Sequence, residues 1–129
     1  MYQNLEIFRL ASAMAGHAAQ RQALVARNIA HADTPGYKAQ DLLPFDQVLR
    51  LRETEPGLKA TRASHLHGAI PTAAPQVRED QSAANEPNQN SVSLETEMVR
   101  AVEIKRHHDR AIAIYKSSMT ILRSSLGRR

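Results

Sequence analysis

Residues 94–126 read LETEMVRAVEIKRHHDRAIAIYKSSMTILRSSL. Leu94, Met98, Ala101, Lys105, His108, Ile112, Tyr115, Met119, Leu122 and Leu126 follow one another at alternating spacings of four and three, and eight of the ten are apolar. A period of about 3.5 residues sustained over several heptads marks a coiled-coil seam. Val102, Ile104, Ala111, Ile114 and Ile121 widen the apolar surface beyond that seam, so such a helix can meet more than one neighbour. Ser93 suits an N-cap, and Glu95 and Glu97 suit the positive end of the helix dipole. Gly127 suits the stop, with Arg123, Arg128 and Arg129 near the negative end. One helix over 94–126 spans roughly 50 Å. Lys105 and His108 interrupt the seam together. They read as snorkelling or register-setting side chains rather than as a metal or proton site.

Working back from this segment, all six prolines lie between Pro35 and Pro87, which leaves two helix-compatible ends around a broken middle. The first end predicts a helix from about Leu5 to Ile29 or Ala30. Phe8, Ala11, Ala15, Ala18, Val25 and Ile29 share a seam in which Gln22 is the polar member. Most of these side chains are small, so a partner helix can approach closely. Gly16 weakens the isolated helix by ~1 kcal/mol relative to Ala, and Pro35 ends it, because the residue before proline avoids the α region. In the middle, Leu42–Leu51 predicts a short helix with Phe45, Val48 and Leu49 on one face. Glu53–Gly57 reads as a turn, Leu58–Ile70 as a short strand or two, and Pro71–Asn90 as a mobile linker or exposed loop. The division is therefore 1–34, 35–91 and 92–129. The expected fold is mainly α, with long N- and C-terminal helices packed as a coiled-coil-like pair and an extended, loop-rich middle.

Composition narrows the function. Apolar residues make up 42 % of the chain, but much of that is Ala, and there is no Trp. Helices of this kind gain much of their burial from neighbours. With no cysteine there is no disulfide, thiol chemistry or Cys-ligated zinc. No apolar run reaches the ~18 residues of a membrane span, and the N-terminus lacks the pattern of a secretory signal. The net charge of +4 is uneven: residues 92–129 carry eight Lys/Arg against four Asp/Glu, while 41–91 carry five against seven. The basic residues of the last segment are scattered and lack stacking aromatics, so no nucleic-acid partner is expected. The five glycines stand far apart and form no phosphate loop. His65 and His67 would share a face on a strand but have no nearby carboxylate, and adjacent His107 and His108 point apart on a helix. No catalytic residue, metal, cofactor or small-molecule substrate is therefore assigned.

The most specific stretch runs Arg27-Asn28-Ile29-Ala30-His31-Ala32-Asp33-Thr34-Pro35-Gly36-Tyr37-Lys38-Ala39. Asn28 lies where a side-chain amide can satisfy backbone groups freed at a helix end. Pro35-Gly36 suits the centre of a type II turn, Pro fixing φ and Gly accepting positive φ. Tyr37 supplies a large anchor beyond the turn. A plain helix stop explains Pro-Gly but not the whole string.

That string resembles the signature of the flagellar axial proteins, the family of rod and hook subunits, whose usual form is close to Asn-Ile-Ala-Asn-x-x-Thr-Pro-Gly-Tyr. Asn28, Ile29, Ala30, Thr34, Pro35, Gly36 and Tyr37 match it. His31 stands where a second Asn is common, which leaves one local hydrogen bond unassigned. Thr61–Leu66 resembles a weaker second element, and Val92-x-Leu94-x-x-Glu97-Met98 a third. Length, the absence of a large central domain, the Asp-x-Thr-Pro-Gly-Tyr-Lys-Ala form and the terminal Leu-Arg-Ser-Ser-Leu point to the proximal rod. Among its B, C and F types they look most like the B type.

The resemblance implies a structural subunit of the proximal rod of the bacterial flagellar basal body, in the periplasm, that assembles helically and transmits torque from the motor ring to the distal rod and hook. It implies export by the flagellar type III apparatus without a cleaved signal. The implied partners are other copies of the chain, other rod proteins and the rod-ring junction protein, with no insertion into the membrane. The assembly interface expected on the two apolar faces comprises Phe8, Ala15, Ala18, Val25, Ile29, Leu94, Met98, Ile112, Tyr115, Met119, Leu122 and Leu126. The free subunit is expected to be partly disordered at its ends. The competing readings are another proximal rod type (C or F), a soluble helical-hairpin adaptor and, behind these, a basic nucleic-acid-binding protein.

Overall fold

The first helix, α1, covers Tyr2–Ala30, three residues longer at its start than the seam suggests. The structure is a computed structural model that describes residues 2–54, 76–80 and 87–127. After α1 come strand β1 (Gln40–Leu42), helix α2 (Phe45–Thr54), strand β2 (Val77–Glu79) and helix α3 (Leu94–Ser125). The fold is mainly α, and α1 packs chiefly against α3.

Local chemistry sets each boundary. At the end of α1 the His31 N–H donates to the carbonyls of Arg27 (3.2 Å) and Asn28 (3.0 Å). The Tyr37 N–H then donates to the Thr34 carbonyl at 3.3 Å, and Gly36 sits at φ +74°. That is the type II turn expected around Pro35-Gly36. Helix α2 begins three residues later than the Leu42–Leu51 expectation and continues through Glu53 and Thr54, where a turn was expected. Pro44 explains the shift. It holds Leu43 out of the α region, and its own carbonyl accepts the Gln47 and Val48 N–H groups at 3.0 and 3.1 Å. For α3, Ser93 is the N-cap (φ −100°, ψ 117°), its hydroxyl facing the Thr96 N–H. The helix ends where the Leu126 N–H reaches Leu122 and Gly127 turns to φ +83°.

The helix pair is antiparallel: Phe8 near the start of α1 meets Tyr115 late in α3, and Asn28 meets Glu97 near the start of α3. Between them lies a thin core. Ala11, Ala18 and Val25 of α1, seven residues apart, face Ile104 and Ala111 of α3. The small side chains let the backbones approach, and Val25 and Ile104 each contribute about 1.5–3 kcal/mol by leaving water. The line that α3 turns towards α1 is Glu97, Ile104 and Ala111, one position round the helix from the Leu94–Leu126 seam. That seam is therefore shared: Ala101 packs on the core, while Leu94 and Met98 stay exposed.

Residues 76–80 and 87–90, expected as linker, are ordered against the turn. β1 and β2 pair antiparallel with Gln40 opposite Glu79, Asp41 opposite Arg78 and Leu42 opposite Val77. The other edge of the same extended stretch is held by residues 88–91. The Gly36 N–H donates to Asn88, the Ser91 N–H to Tyr37, and the Ala39 N–H to the Ser91 hydroxyl at 2.8 Å. The polar composition of this region hides its order because the side chains bond to backbone rather than pack apolar faces. Leu58–Ile70, the Thr61–Leu66 element, and His65 and His67 lie outside the described residues.

Candidate functional site: a polar joint and an exposed helical face

Asn28 is fully buried, at 0 % exposure, on the last turn of α1. Its amide donates to the Gln40 carbonyl (2.9 Å) and to Glu97 Oε2 (3.1 Å). Its carbonyl oxygen accepts from the Gln40 N–H (3.1 Å) and the Tyr37 hydroxyl (3.3 Å). One side chain thus ties α1, the strand after the turn, and α3. Glu97, 1 % exposed, shares its other oxygen with Arg100 at 3.0 Å, and Arg100 also pairs with Asp80 beyond β2. Asn90 closes the knot. Its amide reaches the carbonyls of His31, Ala32 and Thr34, and its oxygen accepts the Val92 N–H. Every buried side-chain nitrogen and oxygen among the described residues has a partner. A buried polar cluster that is fully satisfied specifies one register.

His31 fills the position where the signature has Asn. Its Nδ1 lies 3.2 Å from the Thr34 hydroxyl, and its ring stacks on Tyr37 at 4.6 Å, so the turn is braced by ring contact. Of the other motif residues, Ile29, Ala30, Thr34, Pro35 and Gly36 are exposed and Tyr37 is half-buried.

The expected interface residues fall into two groups. Ala18 and Val25 are buried against α3 of the same chain, and Phe8 is half-buried, edge-on to Tyr115 with ring centroids 5.1 Å apart. Ala15, Met119 and Leu122 are also half-buried. Ile29, Leu94, Met98, Ile112 and Leu126 are exposed, Met98 at 60 % and Leu126 at 78 %, and Tyr115 stays 42 % exposed beside Phe8. A helix seldom spends so many large apolar side chains on water unless another surface covers them.

The chain is 36 % identical over 119 residues to the flagellar basal body rod protein FlgB of Agrobacterium fabrum, covering 89 % of this chain and 88 % of that protein. The chain belongs to the FlgB family of flagellar rod proteins. No family model matches it. The Asn28 motif sits in this FlgB-family chain as the joint between its two long helices.

Three charged or titratable groups around the joint of this FlgB-family chain are perturbed. Arg21 forks onto Asp41, its Nε donating at 2.7 Å, and this bond raises its pKa above the ordinary arginine value. Burial works against the Arg100 charge, but the bond to Asp80 and the neighbouring acids outweigh it, so its pKa is also raised. His17, between α1 and α2, is pushed below the ordinary imidazole value, chiefly by burial and in spite of its 2.8 Å bond to the Leu43 carbonyl. No three His, Asp or Glu gather closely enough to hold a metal among the described residues. No helix there is long and apolar enough to cross a membrane. Sequence reasoning missed Asn90, Ser91, Arg21 and Asp41. The Val92–Met98 pattern and the acidic first turn of α3 pointed towards Glu97, and nothing in a run of Asn, Gln and Ser singles out Asn90 as the buried member.

Proposed function

We propose that this chain is a non-enzymatic structural subunit of the proximal rod of the flagellar basal body. It assembles with other copies and with other rod proteins into a helix that crosses the periplasm and meets the rod-ring junction protein. It is exported by the flagellar type III apparatus without a cleaved signal peptide. Torque from the motor ring passes through packed helices to the distal rod and hook, so stiffness is its function. The observation that carries this reading is the row of exposed large apolar residues on α3, beyond the line that packs on α1, in a member of a rod-protein family. An interface between unlike surfaces propagates as a helix when its rotation does not close a ring, and the satisfied joint at Asn28 keeps each subunit in one shape. In cells, deletion of the chain is expected to abolish filaments and swimming. Ile112→Pro, which breaks the exposed helix at a cost of ~3 kcal/mol or more, is expected to do the same. Normal swimming in both strains would overturn the proposal.

A further inference from the structure

The α1·α3 pair has two flanks, on either side of the Ala18–Ile104 contact. On one, α2 leans over the pair: Phe45 and Leu49 line a cavity with His17, Arg21, His107 and Arg110. On the other, an open groove of about 570 Å³ runs past Ala18, Ala19, Gln22, Ala101, Lys105 and His108, with Ile104 beneath and Val102 on its edge. Three alanines line it, so another helix can approach closely, and its formally charged side chain, Lys105, is basic.

The complementary surface lies on the same helix. Residues 94–104 of α3 carry three acids against one base, a net of −2, and residues 105–125 carry five bases against one acid, a net of +4. Glu97 and Arg100 are spent on each other, which leaves Glu95 and Glu103 as the exposed acids. Between them Met98 and Val99 are exposed at 60 and 61 %, and Val102, exposed at 53 %, borders the groove. Glu95, Met98, Val99 and Glu103 are linked by spacings of three and four and so form one stripe, apolar in the middle and acidic at both ends. Packed against itself about a two-fold axis, the stripe would oppose like charges. Set in the groove, it meets Lys105 and His108.

We propose that the Glu95–Glu103 stripe of one copy docks in the Ala18/Ala101 groove of the next, so that copies associate head to tail. This rests on the assembly-subunit reading above and adds its polarity. Stripe and groove are unlike surfaces that adjoin at Val102, so each copy uses both, and the contact propagates as an open chain when its rotation does not close a ring.

The chain has no cysteine, which permits a clean test in basal bodies isolated from swimming cells. Cells carrying Val99→Cys and His108→Cys chains together are expected to give a disulfide-linked dimer on oxidation, and the double variant a ladder. Neither single variant alone gives either product. In parallel, Glu103→Lys and Lys105→Glu each reduce motility about tenfold or more, and the two combined in one chain restore it. A dimer from Val99→Cys alone would show a two-fold contact and overturn the proposal. So would assembled rods with no cross-link and no charge rescue, while leaving the rod assignment standing. Chains that never enter the rod, even as wild type, would defeat that assignment instead.

Discussion

Asn28 holds four partners because each end of its amide meets one backbone group and one side chain: donors face Gln40 and Glu97, acceptors face Gln40 and Tyr37. Asn28→Ala leaves one buried Glu97 oxygen and the Gln40 N–H without their bonds. It is expected to lower stability by about 2–3 kcal/mol, read as a shifted denaturant midpoint with unchanged slope. Two glycines give opposite signs. Gly16 has open space around it inside α1, and Gly16→Ala is expected to stabilise by about 1 kcal/mol. Gly36 also has open space, but at φ +74°, and Gly36→Ala is expected to destabilise by about 1–2 kcal/mol. Thermal unfolding of the two variants checks both. At this scale the turn was legible, because Pro-Gly chemistry is local. The Asn90–Thr34 and Asn28–Glu97 bonds were not, because they join residues 56 and 69 positions apart and leave no period in the sequence.

The elements divide by what fixes them. α1 and α3 were readable from their apolar periods and caps, and both appear within a few residues of expectation. β1 and β2 were not readable, because three-residue strands rich in charge carry no alternation; their pairing is set by the extended chain leaving the turn. The rotation of α3 was only half readable. Its seam gives Ala101 and Tyr115, but the buried carboxylate of Glu97 selects which edge turns inward. His17 joins α1 to the start of α2. Its folded pKa lies below the unfolded value of 6.5, so the folded state binds fewer protons as the pH falls. The stability it supports is complete above that value and is lost as the pH drops towards the lowered one. Arg21 and His107 oppose its protonation and Asp41 favours it. The fall in melting temperature between about pH 7 and pH 5 is expected to be smaller in His17→Gln; an unchanged slope would remove His17 from the account of this junction.

As a whole the molecule is a helix pair pinned at one end by a polar joint and thinly packed along the rest, with large apolar residues left on its outside. Family membership explains what kind of assembly needs such an outside, and the joint explains how a thin core keeps one register. The central claim is that these outer faces are made for other subunits. Its most direct test replaces three exposed residues at once, Met98→Glu, Ile112→Glu and Leu126→Glu, and compares the purified chain with basal bodies from cells that carry it. Exposed substitutions away from the core change stability by only about 0.5 kcal/mol each. The expected result is a chain that melts close to wild type and basal bodies that lack it, with no rod beyond. Basal bodies with a full complement of the folded triple variant, in cells that swim normally, would contradict the claim.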